Sequence, residues 1–213
     1  MRFEVMLEGA SDVPVVREVL TRRFGMSENQ DFRLHPHQGK GTLRLDPLYR
    51  PTPTQRGLLD QLPAKLRGMS HFPSDTCILI LLDVDDDDCV TLLDELNNTL
   101  LKNLPKRPPT VTFRLAIEEI ESWLIADFHA VKLAFPKVKL SILKATGPDE
   151  RVGAWEVLAK SLGSRPQSTT GADKFAWATQ IAPHLNLVDA PSPSFRRFIA
   201  AIERLHSEDI AQG

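Results

Sequence analysis

Three stretches of this sequence hold carboxylates where chemistry could use them: Glu8-Gly9, the run Asp83-Val84-Asp85-Asp86-Asp87-Asp88, and the group Glu118, Glu119 and Glu121. Asp83 and Asp85 lie two apart, so on an extended backbone their side chains point the same way. Carboxylates crowded together repel unless they are protonated or neutralised by a cation. Hard oxygen donors with no Cys or His beside them suit Mg²⁺ or Mn²⁺ better than zinc. Successive Asp residues also make an ordinary solvated turn, and it is the recurrence of acids in all three stretches that argues for a cation site. A fourth stretch, Gly39-Lys40-Gly41, could hold a phosphate, because glycines permit close backbone approach and Lys40 supplies a point charge. It lacks the spacing of a Walker A loop, and a flexible loop with one solvated lysine is the plainer reading. His35 and His37, just before it, read more readily as satisfied by the fold or the surface than as catalytic.

These residues matter only if the chain brings them together. Phe3 to Leu7 reads as a strand ending at Glu8-Gly9. Ser11 can cap the following helix, with Asp12 favourable at its positive end and Pro14 tolerated in its first turn. Val13, Val16, Leu20 and Phe24 then form one apolar face, closed by Gly25. Asp31 to His37 is a second extended run, and Thr54 to Gly68 a helix interrupted or ended near Pro63. Cys77 to Leu82 is apolar without alternation, as in a central strand covered on both faces. Val90 to Leu104 reads as helix, Thr110 to Ile117 as strand, and Glu118 to Phe135 as helix. This rhythm predicts an α/β fold with a four-stranded, mostly parallel, Rossmann-like sheet flanked by helices. Ligands of such sheets bind beyond the carboxyl ends of the strands, where the acids and the Gly39-Lys40-Gly41 loop fall. From Pro136 onward only helices are expected, over Asp149 to Leu162, Asp173 to Leu185 and Ser194 to Leu205. Residues 1–135 should therefore form the α/β core and 136–213 an all-helical extension packed on it.

Composition sets the outer limits. The 213 residues carry 26 Lys plus Arg against 28 Asp plus Glu, a formal −2, with 42 % hydrophobic residues, which is ordinary for a globular protein. A collagen-like chain, a disulfide scaffold, a disordered tail and a strongly basic nucleic-acid coat protein are excluded. Cys77 and Cys89 make neither a disulfide framework nor a zinc site. Trp123, Trp155 and Trp177 fall in helical patterns and are expected in the core. No signal-peptide pattern opens the chain and no apolar run approaches the ~20 residues of a membrane span, so a cytoplasmic protein without membrane contact is expected.

Glu8-Gly9-Ala10-Ser11-Asp12 after the first strand, followed by Ile80-Leu81-Leu82-Asp83-Val84-Asp85 after a buried one, resembles the Toprim signature of topoisomerases, bacterial primases and OLD-type (overcoming lysogenization defect) nucleases. A bacterial family of uncharacterised Toprim-like proteins is more similar still, through Glu119-Ile120-Glu121-Ser122-Trp123-Leu124-Ile125-Ala126-Asp127 and Pro193-Ser194-Phe195-Arg196-Arg197-Phe198. The resemblance implies a divalent-metal phosphodiester site. Glu8 would be the acid/base carboxylate or a metal ligand, Asp83 and Asp85 would hold Mg²⁺, and Glu119 and Glu121 would complete a second position. Lys174, in Ala172-Asp173-Lys174-Phe175, matches a recurrent lysine of the helical tail and would act on the phosphate. Glu118 departs from the pattern, which carries a basic residue there.

The expected function is thus a Mg²⁺- or Mn²⁺-dependent phosphodiester hydrolase, a nuclease acting on DNA or RNA, with foreign nucleic acid as its target by analogy to the OLD-type enzymes. Nucleic acid and an operon-encoded protein are the expected partners. The alternative is a non-catalytic nucleic-acid- or nucleotide-binding effector module that keeps a structural Mg²⁺ site, since the net charge offers polyanions no global attraction. Lys40, Arg44, Arg50, Arg56 and Arg67 could supply a local basic patch. A haloacid-dehalogenase phosphatase fits poorly, because its Asp-x-Asp pair follows the first strand, and a receiver domain orders its acids on other strands.

Overall fold

A computed structural model of the chain describes residues 1–145, 147–149 and 153–210. Four strands, β1 (Arg2–Leu7), β2 (Phe32–Pro36), β3 (Thr76–Asp83) and β4 (Thr110–Ala116), form one parallel sheet in the order β2-β1-β3-β4. Nine helices accompany them among the described residues: α1 (Val13–Glu18), α2 (Leu58–Gly68), α3 (Cys89–Asp94), α4 (Ile120–Ala126), α5 (Phe128–Ala134), α6 (Leu140–Leu143), α7 (Ala154–Leu162), α8 (Gly171–Ile181) and α9 (Pro193–Ile210). The fold is α/β, as expected.

The apolar run of β3 explains the layering. Alternate side chains of a strand face opposite sides, so Cys77, Leu79 and Leu81 enter one hydrophobic cluster and Ile78, Ile80 and Leu82 the other. The first cluster takes Phe3, Val5 and Leu7 of β1, the valines of α1, and residues of α4, α5 and α7 to α9. The second takes Met6, the leucines of α2 and those of α3 and its continuation. Right-handed crossovers dictate this division. The chain steps from β1 outward to β2, then reverses past β1 to β3, and the reversal moves the connecting helices to the other face.

Several boundaries differ from the sequence expectation for local reasons. The helix expected over Glu118 to Phe135 is two helices, broken at Asp127 (φ −92°, ψ 70°). The Asp127 carboxylate accepts the Ala130 N–H (3.0 Å) to cap α5 and the Asn186 N–H (2.9 Å) to tie down the C-terminal region. Pro63 neither ends nor interrupts α2, which continues to Gly68. The first part of the expected Asp149 to Leu162 helix includes 150–152, outside the described residues, and α7 itself starts at Ala154. The C-terminal helices share the cluster of the first face with the sheet. Among the described residues no helix is long and apolar enough to cross a membrane.

Trp123 fastens α9 to this core. It is fully buried, stacked on Phe195 (centroids 4.7 Å apart) and against Phe198 (5.3 Å), and its Nε1–H donates to Ser194 Oγ (2.7 Å). Asp149 in turn accepts the Ser194 N–H (2.7 Å) and the Ser192 hydroxyl (2.6 Å). The Pro193 to Phe198 motif is thus a docking element. Trp123→Ala removes an aromatic stack and leaves a cavity, and should lower unfolding free energy by about 3–5 kcal/mol in urea melts followed by circular dichroism. A loss below about 0.5 kcal/mol, the ordinary range of surface substitutions, would show that the stack does not hold α9.

Candidate metal centre

The reversal in strand order places a crevice between β1 and β3, where doubly wound sheets bind ligands. Glu8 leaves the end of β1 and Asp83 closes β3. The two ends are joined directly: the Asp83 N–H donates to Glu8 Oε1 (2.8 Å). Asp83 Oδ1 accepts the Ile120 N–H (3.1 Å) at the start of α4, which brings in the acids after β4. Glu8, Asp12, Asp83, Asp85, Glu119, Glu121, Gly39 and Lys174 line one cavity of about 200 Å³. All five acids expected to bind metal are therefore together.

Asp12 joins them unforeseen. Its carboxylate accepts the Gly9 N–H (2.9 Å) and the Ser11 hydroxyl (3.1 Å) and is 4 % exposed. The sequence offered it as a favourable charge at a helix start and as the last residue of the motif after the first strand, with no role in the site. Its spacing from Glu8 across one tight turn was the available signal. Asp83 and Asp85 share the cavity by a route other than alternation along an extended strand. β3 ends at Asp83, and Asp85 adopts a left-handed conformation (φ 51°), so the strand's two-residue repeat does not reach it.

Glu118 turns away. At φ 65° it points its carboxylate to the start of α7, where both oxygens accept the Ala154 N–H (2.8 and 3.0 Å). Asp88 caps α3 through the Thr91 N–H (2.8 Å). The acidic run is thus divided among separate tasks.

Two lysines stand among the acids. Lys174, in the first turn of α8, lies 3.4 Å from Glu121 Oε1 and 3.6 Å from Glu119 Oε1, with its ammonium over the Trp155 ring at 5.0 Å. Trp155, expected in the core, is instead half-exposed at this rim. Lys40 pairs with Asp87 (2.8 Å) and Asp85 (2.9 Å) and donates to the Val84 carbonyl (2.9 Å). Burial opposes both ammonium charges, yet the neighbouring carboxylates raise both lysine pKa values. Gly39 and Lys40 use their carbonyls to receive the first N–H groups of α2, from Leu58 (2.9 Å) and Leu59 (2.7 Å). Gly41, at φ 73°, packs so closely on Gly57 and Asp60 that any side chain would collide. The glycine loop thus seats α2, and its Lys40 faces acids.

Of the other expected cations, Arg44 pairs with Asp60 (3.3 Å). Arg67 donates to the carbonyls of Pro47 and Tyr49. His35 meets Glu4 (2.6 Å), and His37 Nδ1 meets the Leu7 carbonyl (2.9 Å). Burial pushes the Cys77 thiol up to about 11, which makes it a poor nucleophile.

Six carboxylates face two lysines, and all of the six but the exposed Asp85 are buried or half-buried. Burial raises Asp83 well above the usual carboxylate range, reinforced by Asp12, Glu8, Glu121 and Glu119. Burial likewise lifts Glu8 to about 8, Asp12 to about 7 and Glu119 to about 8. Glu119 Oε2 is buried without a hydrogen-bond partner. An all-oxygen donor set, surplus charge and an orphaned oxygen fit a hard divalent cation. Among the described residues, no three potential ligands are drawn together closely enough to hold an ion as they stand.

The sheet, its switch point and these acids define an α/β protein with an acidic strand-end centre. Residues 7–203 match the model of the family described as Domain of unknown function (DUF4276), and the chain belongs to that family. No curated protein and no solved structure matches it.

The raised carboxyl pKa values fix a sign. The folded, metal-free protein keeps protons that the unfolded chain releases near pH 4, so stability falls as pH rises toward 8. His37, lowered to about 4 by burial, contributes the opposite slope only below about 6.5. In EDTA the melting temperature should therefore fall between about pH 6.5 and pH 8, and Asp83→Asn should flatten the fall. A profile that rises with pH, or is identical in the variant, contradicts the buried-charge account.

Proposed function

We propose that the protein is a divalent-metal-dependent phosphodiester hydrolase, a nuclease acting on DNA or RNA. The observation that carries this reading is the meeting of Glu8, Asp12, Asp83, Asp85, Glu119 and Glu121 in one cavity at the switch point of the sheet. Glu8, Asp83, Asp85, Glu119 and Glu121 would hold Mg²⁺ or Mn²⁺, which when bound supplies charge neutralisation at a phosphodiester and an activated water. Glu8 has one oxygen engaged by the Asp83 N–H, and its other oxygen is available for proton transfer. Asp12, by holding the Gly9 N–H, positions Glu8. Lys174 offers an ammonium that could leave Glu119 and Glu121 for charge developing on the phosphate. The likeness of the acidic motifs to Toprim nucleases supports the same reaction class, and a role against foreign nucleic acid extends that likeness by analogy.

A second reading is favoured by one observation: Lys40 and Lys174 already sit in ion pairs with the acids. A site neutralised in that way could serve a non-catalytic binding module. Purified protein with Mn²⁺ or Mg²⁺ should nick plasmid DNA or cut RNA, and Asp83→Ala should abolish this while leaving the fold intact by circular dichroism. Equal cleavage by the variant overturns the assignment. A metal-dependent melting shift with no cleavage of single- or double-stranded substrates selects the binding module instead.

A further inference from the structure

A second polar hollow, of about 330 Å³, lies on the other side of the Gly39 loop, between the end of β2, the turn at 51–56 and the flank of α2. Unlike the acidic cavity, it has no Asp or Glu among its lining residues. Lys65 of α2 is half-buried there, and burial alone lowers its pKa, with no carboxylate acting on it. Its ammonium has no hydrogen bond or ion pair among the described residues. Its Nζ is not among the buried atoms that lack a partner, so the ammonium is reached from the hollow and open to an anionic oxygen.

The neighbouring groups are donors too. Arg56 commits only Nε, to the Pro53 carbonyl (3.1 Å), which leaves the two terminal nitrogens of its fork for a further acceptor. Gln55 Oε1 accepts from Tyr49 Oη (2.8 Å), the Thr52 N–H (2.8 Å) and the Thr52 hydroxyl (3.1 Å). Its remaining polar group is the amide NH₂, a pure donor. His37 also lines the hollow, and its Nε2 is buried with no partner. A guest carrying both an anionic oxygen and a hydroxyl or ring N–H would satisfy these groups together.

Position supplies the rest of the argument. Gln38 lines this hollow and Gly39, the next residue, lines the acidic cavity. The two sites therefore share this loop as a common wall. A polyanion repelled by the acids needs an attractive contact close by.

We infer that the hollow formed by Arg56, Lys65 and Gln55 binds a phosphate group of a nucleic-acid strand, one flanking the phosphodiester presented to the acidic cavity, with the acceptor Nε2 of His37 left for a donor of the adjoining nucleotide. The substrate class is therefore a polynucleotide with at least two phosphates, and an isolated nucleotide lacks the second contact. This deepens the phosphodiesterase reading and rests on it for the role of the acidic cavity alone.

The test is binding of a fluorescently labelled single-stranded oligonucleotide to the full chain in EDTA, where no cleavage occurs, over a salt series. Lys65→Gln and Arg56→Gln should each weaken binding several-fold and make the slope of log Kd against log salt shallower by about 0.7, with unchanged circular dichroism. Charge-retaining Lys65→Arg should keep most of the affinity. Variants that bind like the wild type, or a wild type that binds no oligonucleotide, overturn the inference. So does inorganic phosphate that raises the melting temperature of wild type but not of Lys65→Gln while oligonucleotide binding is equal in both, since the site then serves the free ion. Mn²⁺-dependent cleavage of plasmid DNA and of RNA is measured separately. Its absence removes the hydrolase reading and leaves strand binding in the hollow standing.

Discussion

The centre of this protein depends on concentrating negative charge where two parallel strands end side by side. Glu8 takes the backbone N–H of Asp83, so the ends of β1 and β3 are joined by one of the acids themselves. That bond is formed at the mouth of the sheet, with hydrophobic clusters on both faces behind it. Water is scarce there, and each carboxylate feels its neighbours more strongly than it would on the surface. The same packing that stabilises the sheet therefore makes the site electrostatically unfavourable until cations join it.

Two elements bring those cations from opposite directions. Lys40 arrives on the loop that seats α2, and Lys174 on the first turn of α8. The C-terminal helices thus complete the centre as well as covering the sheet. They are held by a separate set of polar anchors: Ser194 between Trp123 and Asp149, Asp127 to Asn186, and Glu118 at the start of α7. Asp149 and Glu118 set carboxylates against N–H groups at the starts of α9 and α7 that would otherwise be unsatisfied. The acids of this chain accordingly divide into those that fasten helices and those that gather at the crevice.

Cavity size does not single out the acidic site. A larger hollow, about 500 Å³, lies between α3, β4 and α9, with Phe113, Phe198 and Arg197 among its walls. The acidic cavity is smaller, and its distinction is chemical: oxygen donors, surplus charge and a switch point in the strand order. The basic hollow beside it is distinguished by the opposite sign, with donors where its neighbour has acceptors.

Short-range patterns in the sequence were enough to determine the sheet and the places where its acids emerge. The apolar run of β3 requires cover on both faces, and turn residues after β1 and β3 set Glu8 and Asp83 at their ends. That much follows from periodicity, because burial demands it residue by residue. Which acids face one another was decided only by the tertiary structure. Asp85 turns on a left-handed residue, Glu118 leaves for α7 on another, and Asp12 enters through a tight turn. The approach of Lys174 to Glu119 and Glu121 joins parts of the chain far apart in sequence. No local pattern encodes such a meeting, since it results from how α8 packs against the turn after β1 and against α1 and α5.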